Sequence, residues 1–189
     1  MVTTRVRTWT VKEYHQMLRA GILAPDERVE LLSGQIWEMS PQEPPHAATT
    51  RRASRYLDRL LRDVADVRVQ LPITLEPDSE PEPDIAVVRL QPNDYEDHHP
   101  TPDDIFGVIE VADTTLRKDR KQKALAYGSA GIPEYWILDV NGRRAYILRE
   151  PNEIGYGAEV IITPTDTVRS LAFPAIEIPL AELFLPVGD

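Results

Sequence analysis

Three side chains, Asp84, Glu110 and Lys123, have the types and the surroundings of a phosphate-handling site. Asp84 follows Pro83 at the head of an apolar run, Ile85-Ala86-Val87-Val88, and Glu110 interrupts another, Ile105-Phe106-Gly107-Val108-Ile109-Glu110-Val111. The second run is apolar at nearly every position, which predicts a strand covered on both faces. A lone carboxylate there costs several kcal/mol unless a cation or a proton accompanies it. Neighbouring strands that set Asp84 beside Glu110 would create a like-charge clash that a divalent ion relieves. Lys123, on the helix that follows, is suited to hold a scissile phosphate or a water and to offset developing negative charge. The chemistry this set serves is metal-assisted phosphodiester cleavage.

Each residue also has a plainer reading on its own. Asp84 could be a turn or cap residue, Glu110 the partner of an arginine, and Lys123 the partner of Asp119 on an exposed helix face. Helical geometry bears on the last of these. With Lys118 at zero and about 100° per residue, Asp119, Lys123, Ala126, Tyr127 and Ala130 fall between about 80° and 180°. This is a stripe of small and aromatic residues that should dock inward, and Lys118 and Lys121 are expected to project elsewhere.

Other groups are auxiliary candidates. Glu30, in Val29-Glu30-Leu31-Leu32, is either a further ligand or water-orienting group or an ordinary edge-strand glutamate. His46 could contact phosphate or be structural, and Asp113 could recruit a second ion or cap the next helix. On the helix after Pro44, Arg51, Arg52, Arg55, Arg59 and Arg62 form one stripe, and Ala53, Tyr56, Leu57, Leu60, Leu61 and Val64 form the core face. The arginines could track nucleic-acid phosphates or be a solvated face salted by Asp58 and Asp63. The run His98-His99, with five acids between Gln91 and Asp104, reads as a mobile acidic loop, because adjacent histidines point oppositely on an extended chain.

The elements that must position these groups follow from periodicity and breakers. Thr10 caps a helix over about Val11 to Ala20, Arg28 to Met39 is a hairpin turning at Ser33-Gly34, and Pro44 to Val64 contains a long helix. Strands are expected at Val67 to Leu75, Asp84 to Arg89 and Ile105 to Ala112, and a helix at Lys118 to Ala130. Glu134 to Val140 and Arg143 to Arg149 then pair over Asn141-Gly142, a turn whose two positions tolerate positive φ. The order is α-β-β-α-β-β-β-α-β-β with a short β-rich tail, an α+β or mixed α/β fold forming one domain over residues 1–189.

Composition narrows the classes. Cysteine is absent, so thiolate metal sites and cysteine nucleophiles are out, and Asp, Glu and four His favour hard ions such as Mg²⁺ or Mn²⁺. No apolar run approaches the roughly 20 residues of a bilayer span, and the basic start, Met1 to Arg7, lacks a signal-peptide core, so a cytoplasmic, non-membrane protein is expected. A net charge of −10 argues against nonspecific coating of nucleic acid, so any such contact must be local. There is no Walker loop, no Gly-x-Ser-x-Gly elbow and no dinucleotide fingerprint.

Longer stretches carry a resemblance. Glu27 to Gly34, Met39-Ser40-Pro41, Pro83-Asp84, Val108 to Val111, then Asp119, Lys123 and Tyr127, and Gly131-Ile132-Pro133-Glu134-Tyr135-Trp136 resemble the PD-(D/E)xK nuclease superfamily and, within it, the Uma-two-type restriction endonucleases. The likeness runs from the first helix to Leu180-Ala181-Glu182-Leu183-Phe184. It implies a restriction-endonuclease-like core, a mixed sheet flanked by helices, with Asp84 and Glu110 as Mg²⁺ ligands, Lys123 as the motif lysine, and homodimers. The superfamily's lysine stands two residues after the acid, where this chain has Ala112, so the lysine has moved to the helix. Relatives tend to have Leu-Ser-Pro-Ser where Ala112-Asp113-Thr114-Thr115 stands here.

The function expected is Mg²⁺-dependent endonuclease action on DNA, with Asp84, Glu110 and the Val111 carbonyl holding the ion. A structure-selective nuclease for branched DNA or RNA is a variant of it. The alternative is an inactive dimeric module binding nucleic acid or protein on the same fold, its triad a buried ion-pair network.

Overall fold

The computed structural model describes residues 5–24 and 26–186. The expectation about the N-terminal start therefore lies partly outside the described residues. Helix α1 (Val11–Arg19) opens with a capping box in which Thr10 and Glu13 satisfy each other's amides. Strands β1 (Val29–Leu32) and β2 (Gln35–Glu38) form the hairpin, turning at Ser33 and Gly34, both at positive φ. Helix α2 (Pro44–Leu61) buries Ala53, Leu57 and Leu61.

Six strands make the main sheet, in the order β3 (Asp66–Val69), β4 (Ile85–Val88), β5 (Ile105–Ala112), β6 (Glu134–Asp139), β7 (Arg144–Asn152), β8 (Gly155–Ile162). Only β5 and β6 are parallel, joined by the helical crossover; the other pairs are antiparallel, so the sheet is mixed. Short strands β9 (Thr167–Val168) and β10 (Ile178–Pro179) form a separate pair near the C-terminus. One sheet face packs on α2 and the C-terminal segment through Ile109, Val111, Trp136 and Phe184. The other packs under the crossover helix through Val108, Ala112, Tyr127 and Tyr135. From Val108 onward the even-numbered side chains of β5 turn to this second face, and Glu110 is among them.

The element order agrees with the periodicity, and several local features do not. The strand expected over Val67 to Leu75 stops at Val69, because Gln70 adopts φ 52° and Pro72 has no N–H to lend a ladder. Gln70 instead gives its amide to the Pro83 and Asp84 carbonyls. The β6–β7 turn lies where Asn141-Gly142 marks it, yet the positive φ falls on Arg143. Gly142 is needed for space, because a Cβ there would strike the Asp139 carboxylate that caps the turn. The acidic stretch from Gln91 to Asp104 is anchored: Tyr95 is buried and donates its hydroxyl to the Arg89 carbonyl at 2.8 Å. The β-rich tail includes β8, a full edge strand of eight residues.

The crossover helix departs most from expectation. It runs as α3 (Leu116–Lys118), a π-turn (Asp119–Lys123) and α4 (Ala124–Ser129). The Ala124 amide reaches back five residues to the Asp119 carbonyl, so one extra residue is looped into the helix.

Candidate functional site

Antiparallel pairing of β4 with β5 sets Ile85 opposite Ile109, which brings Asp84 level with Glu110 at the open ends of the two strands. Beyond Ile85 the β4 ladder stops, and the Val111 amide, left without a strand partner, donates to Asp84 Oδ2 at 2.9 Å. In an extended strand the N–H and C=O of one residue leave on the same side, so the Val111 carbonyl is directed the same way. His46 Nε2, from the first turn of α2, lies 3.0 Å from the same Asp84 oxygen, and Gln70 Nε2 donates to the other at 3.2 Å.

Glu110 is held from the helical side. Its Oε1 accepts from Lys123 Nζ at 2.7 Å and from the Tyr127 hydroxyl at 2.6 Å, and its Oε2 takes the Asp84 amide at 3.4 Å. All these groups are buried, with Asp84 7%, Glu110 3%, Lys123 7% and Tyr127 0% exposed. Asp84, Glu110 and Lys123 thus meet in one pocket, a cavity of about 80 Å³. That volume suits an ion with part of its water, not a bulky ligand.

Glu30 is 1% exposed and also faces this pocket, so it is no ordinary edge-strand residue. Its Oε1 accepts from Lys118 Nζ at 2.8 Å, while Oε2 lies 3.7 Å from Lys123 Nζ and has no hydrogen-bond partner among the described residues. Lys118 was expected to project away, and the π-turn explains why it does not. At a uniform 100° per residue, Lys118 and Lys123 would stand about 140° apart; a turn closed from i to i+5 brings residues five apart towards one side. Asp119 is buried, its Oδ2 taken by Thr115 Oγ1 at 2.6 Å, so it is not Lys123's helix-face partner. Asp113 lines the pocket but caps nothing: Asn141 Nδ2 holds its carboxylate at 2.9 Å.

The arginine stripe lies elsewhere. Arg51, Arg55 and Arg59 are exposed and, with Tyr56, line a separate groove; Arg52 is tied to the Glu182 carbonyl at 3.0 Å. His98 pairs with exposed Asp97, away from the pocket.

The electrostatics separate the two central carboxyls. Burial would raise Asp84, but the hydrogen bond and charge of His46, the Val111 amide and Lys123 carry it below the usual carboxylate range. Burial pushes Glu110 up to about 8 against the pull of Lys123, and Asp84, Asp119 and Glu30 add to the rise. Burial would lower the Lys123 ammonium, yet Glu110, Glu30 and Asp119 hold it above its ordinary value. Seven of the residues lining the pocket are carboxylates and three are Arg or Lys. A pocket with this excess of acidic groups has a deficit of positive charge.

Its donors are hard oxygens apart from His46, which fits Mg²⁺ or Mn²⁺. Among the described residues no three or more His, Asp or Glu are arranged to hold a metal ion. A set of two carboxylates and a carbonyl is what Mg²⁺ accepts, since it keeps several of its waters.

The sequence reading missed Tyr127 as a site residue and misplaced Lys118. Tyr127 stood on the inward stripe, where a buried phenol needs a partner for its hydroxyl; the facing carboxylate was the available signal.

This mixed sheet, with acids at adjacent strand ends and a lysine on the crossover helix, belongs to a nuclease-like class of folds. A crystal structure from Anabaena variabilis ATCC 29413, described as a putative nuclease belonging to DUF820, is similar to it with a TM-score of 0.70 at 16% identity, covering 93% of this chain and 97% of that one. The family model Uma2, described as "Putative restriction endonuclease", matches residues 11–181, and the chain belongs to that family. No curated protein matches the chain.

Proposed function

We propose that this chain is a Mg²⁺- or Mn²⁺-dependent endonuclease that hydrolyses phosphodiester bonds of DNA. The observation that carries the reading is the contact of Lys123 with Glu110 at 2.7 Å, beside an Asp84 pinned by the Val111 amide. Asp84, Glu110 and the Val111 carbonyl would hold the ion. When bound, it polarises a phosphoryl oxygen and makes a coordinated water a nucleophile at neutral pH. The residues of this chain supply the rest. His46 and the Val111 amide fix the Asp84 rotamer, and Tyr127 fixes Glu110. Lys123, kept charged among three acids, orients the water or offsets charge on the phosphorus.

Arg51, Arg52, Arg55 and Arg59 are taken to contact phosphates beyond the cleavage point. A homodimer in the cytoplasm completes the reading; no helix among the described residues is long and apolar enough to cross a membrane. The second reading, an inactive binding module, draws on the arginine groove lying apart from the pocket.

The test is a panel of supercoiled plasmid, single-stranded DNA, branched DNA and RNA with Mg²⁺, Mn²⁺ or chelator. Wild-type cleavage that needs the ion and is lost in Asp84→Ala and Lys123→Ala supports the enzyme. Binding without cleavage of any substrate favours the module.

A further inference from the structure

Lys123 acts from its place beside Glu110 and is poorly placed to travel out to an incoming substrate. It is 7% exposed and in contact with Glu110, and a second carboxylate stands at 3.7 Å. Lys118 is placed differently. Its side chain is 23% exposed, its one ion pair among the described residues is with Glu30, and its ammonium lies over the Trp37 ring at 5.3 Å, where an aromatic face helps hold a cation without fixing it.

We infer that Lys118 is a second phosphate-binding cation of this pocket, stored on Glu30 and released to the substrate. The inference rests on the nuclease reading above and adds to it a residue that a regular helix would have turned away.

Glu30 makes the exchange affordable in charge. A buried carboxylate stripped of its partner is costly, and Glu30 is 1% exposed. Its second oxygen, however, has no hydrogen-bond partner among the described residues and already faces Lys123 across 3.7 Å. When Lys118 swings to an incoming phosphate, Lys123 remains as counter-ion to both Glu30 and Glu110, and no buried charge is left alone. The π-turn is what gives one carboxylate two lysines five residues apart. A phosphate dianion or diester entering a pocket of seven carboxylates needs such a movable cation, because the lining otherwise repels it.

The test compares wild type with Lys118→Ala and Lys118→Arg, first in duplex DNA binding with Ca²⁺ as the divalent ion across a salt series, then in cleavage with Mg²⁺. Lys118→Ala is expected to weaken binding and raise KM about ten-fold, as for one lost charge-assisted contact. It should reduce the salt slope of binding by about one and lower kcat far less than Lys123→Ala does. Lys118→Arg should restore most of the affinity. A Lys118→Ala protein with lowered melting temperature but wild-type affinity and salt slope would show Lys118 to be structural, and overturn the inference. If wild type binds the duplex but cleaves nothing, the nuclease reading fails while the salt slope still decides Lys118. If it binds no duplex at all, both fall.

Discussion

At the scale of residues, the pocket is a chain of obligations. Glu110 is carried into the sheet by a strand that is apolar elsewhere, and the acid is tolerated because an ammonium and a phenol meet the same oxygen. Lys123, in turn, sits in the core because two carboxylates face it. Removing Lys123 leaves Glu110 buried without its counter-ion, at a cost of about 3–5 kcal/mol for Lys123→Met, while Glu110→Gln leaves Lys123 with Glu30 at 3.7 Å and should cost less. The double variant should cost clearly less than the sum, since neither charge is then stranded. Urea unfolding of the four proteins checks this; strictly additive losses would mean that the two groups do not form an energetic pair. Asp84 and Glu110 were legible because an acid in or beside a continuous apolar run is conspicuous. Tyr127 passed as core, because an inward aromatic at helical spacing points to a site only when its hydroxyl is matched with a facing carboxylate.

At the scale of elements, the central strands were legible and the phase of the crossover helix was not. Ile105 to Ala112 agrees residue for residue with β5, since a run apolar but for Glu110 and bounded by acids leaves little choice. No residue preference announces a π-turn, so a uniform 100° per residue put Lys118 on the wrong side. β8 was hidden by its glycines, its Glu159 and its exposed side, features of an edge strand. Its contact with α4 is set by glycine: a Cβ on Gly128 would collide with the Gly155 carbonyl. Gly128→Ala should therefore destabilise by about 1–3 kcal/mol, although alanine is the better helix former by about 1 kcal/mol. Denaturation midpoints measure it, and a stabilised variant would mean that α4 stands off β8. At the entry to β5, Asp104 Oδ2 accepts from the Thr101 amide at 2.9 Å and hydroxyl at 2.8 Å. Burial would raise this carboxyl, but those bonds carry it below its ordinary value. A folded value below the unfolded one means stability present above about pH 4 and lost as the pH falls through the folded value. Asp104→Asn should thus cost about 1 kcal/mol at neutral pH, with a gap to wild type that closes under acid. A gap that persists at low pH would assign the cost to something other than the carboxylate's charge.

At the scale of the whole molecule, the net charge of −10 and the acid-rich pocket pose one question: whether a divalent cation acts on a site or on the general field. A diffuse acidic surface is relieved by any salt, because screening depends on ionic strength. A site at Asp84 and Glu110 responds to the divalent ion alone. Binding to the folded state at a hundred times the dissociation constant adds about 2.7 kcal/mol. For a domain of this size each kcal/mol moves the midpoint by about 2–4 °C, so Mg²⁺ should raise the melting temperature by about 5–10 °C. NaCl at matched ionic strength should give much less, and Asp84→Ala should respond to the two salts alike. The comparison uses the folded protein without substrate, so it stands whether or not a cleavable nucleic acid has been found. Equal shifts for wild type and Asp84→Ala in Mg²⁺ would put the ion on the surface and remove the metal from the proposed chemistry. A shift confined to wild type would leave the paired carboxylates as its seat, where burial first and the neighbouring acids second hold Glu110 up to about 8.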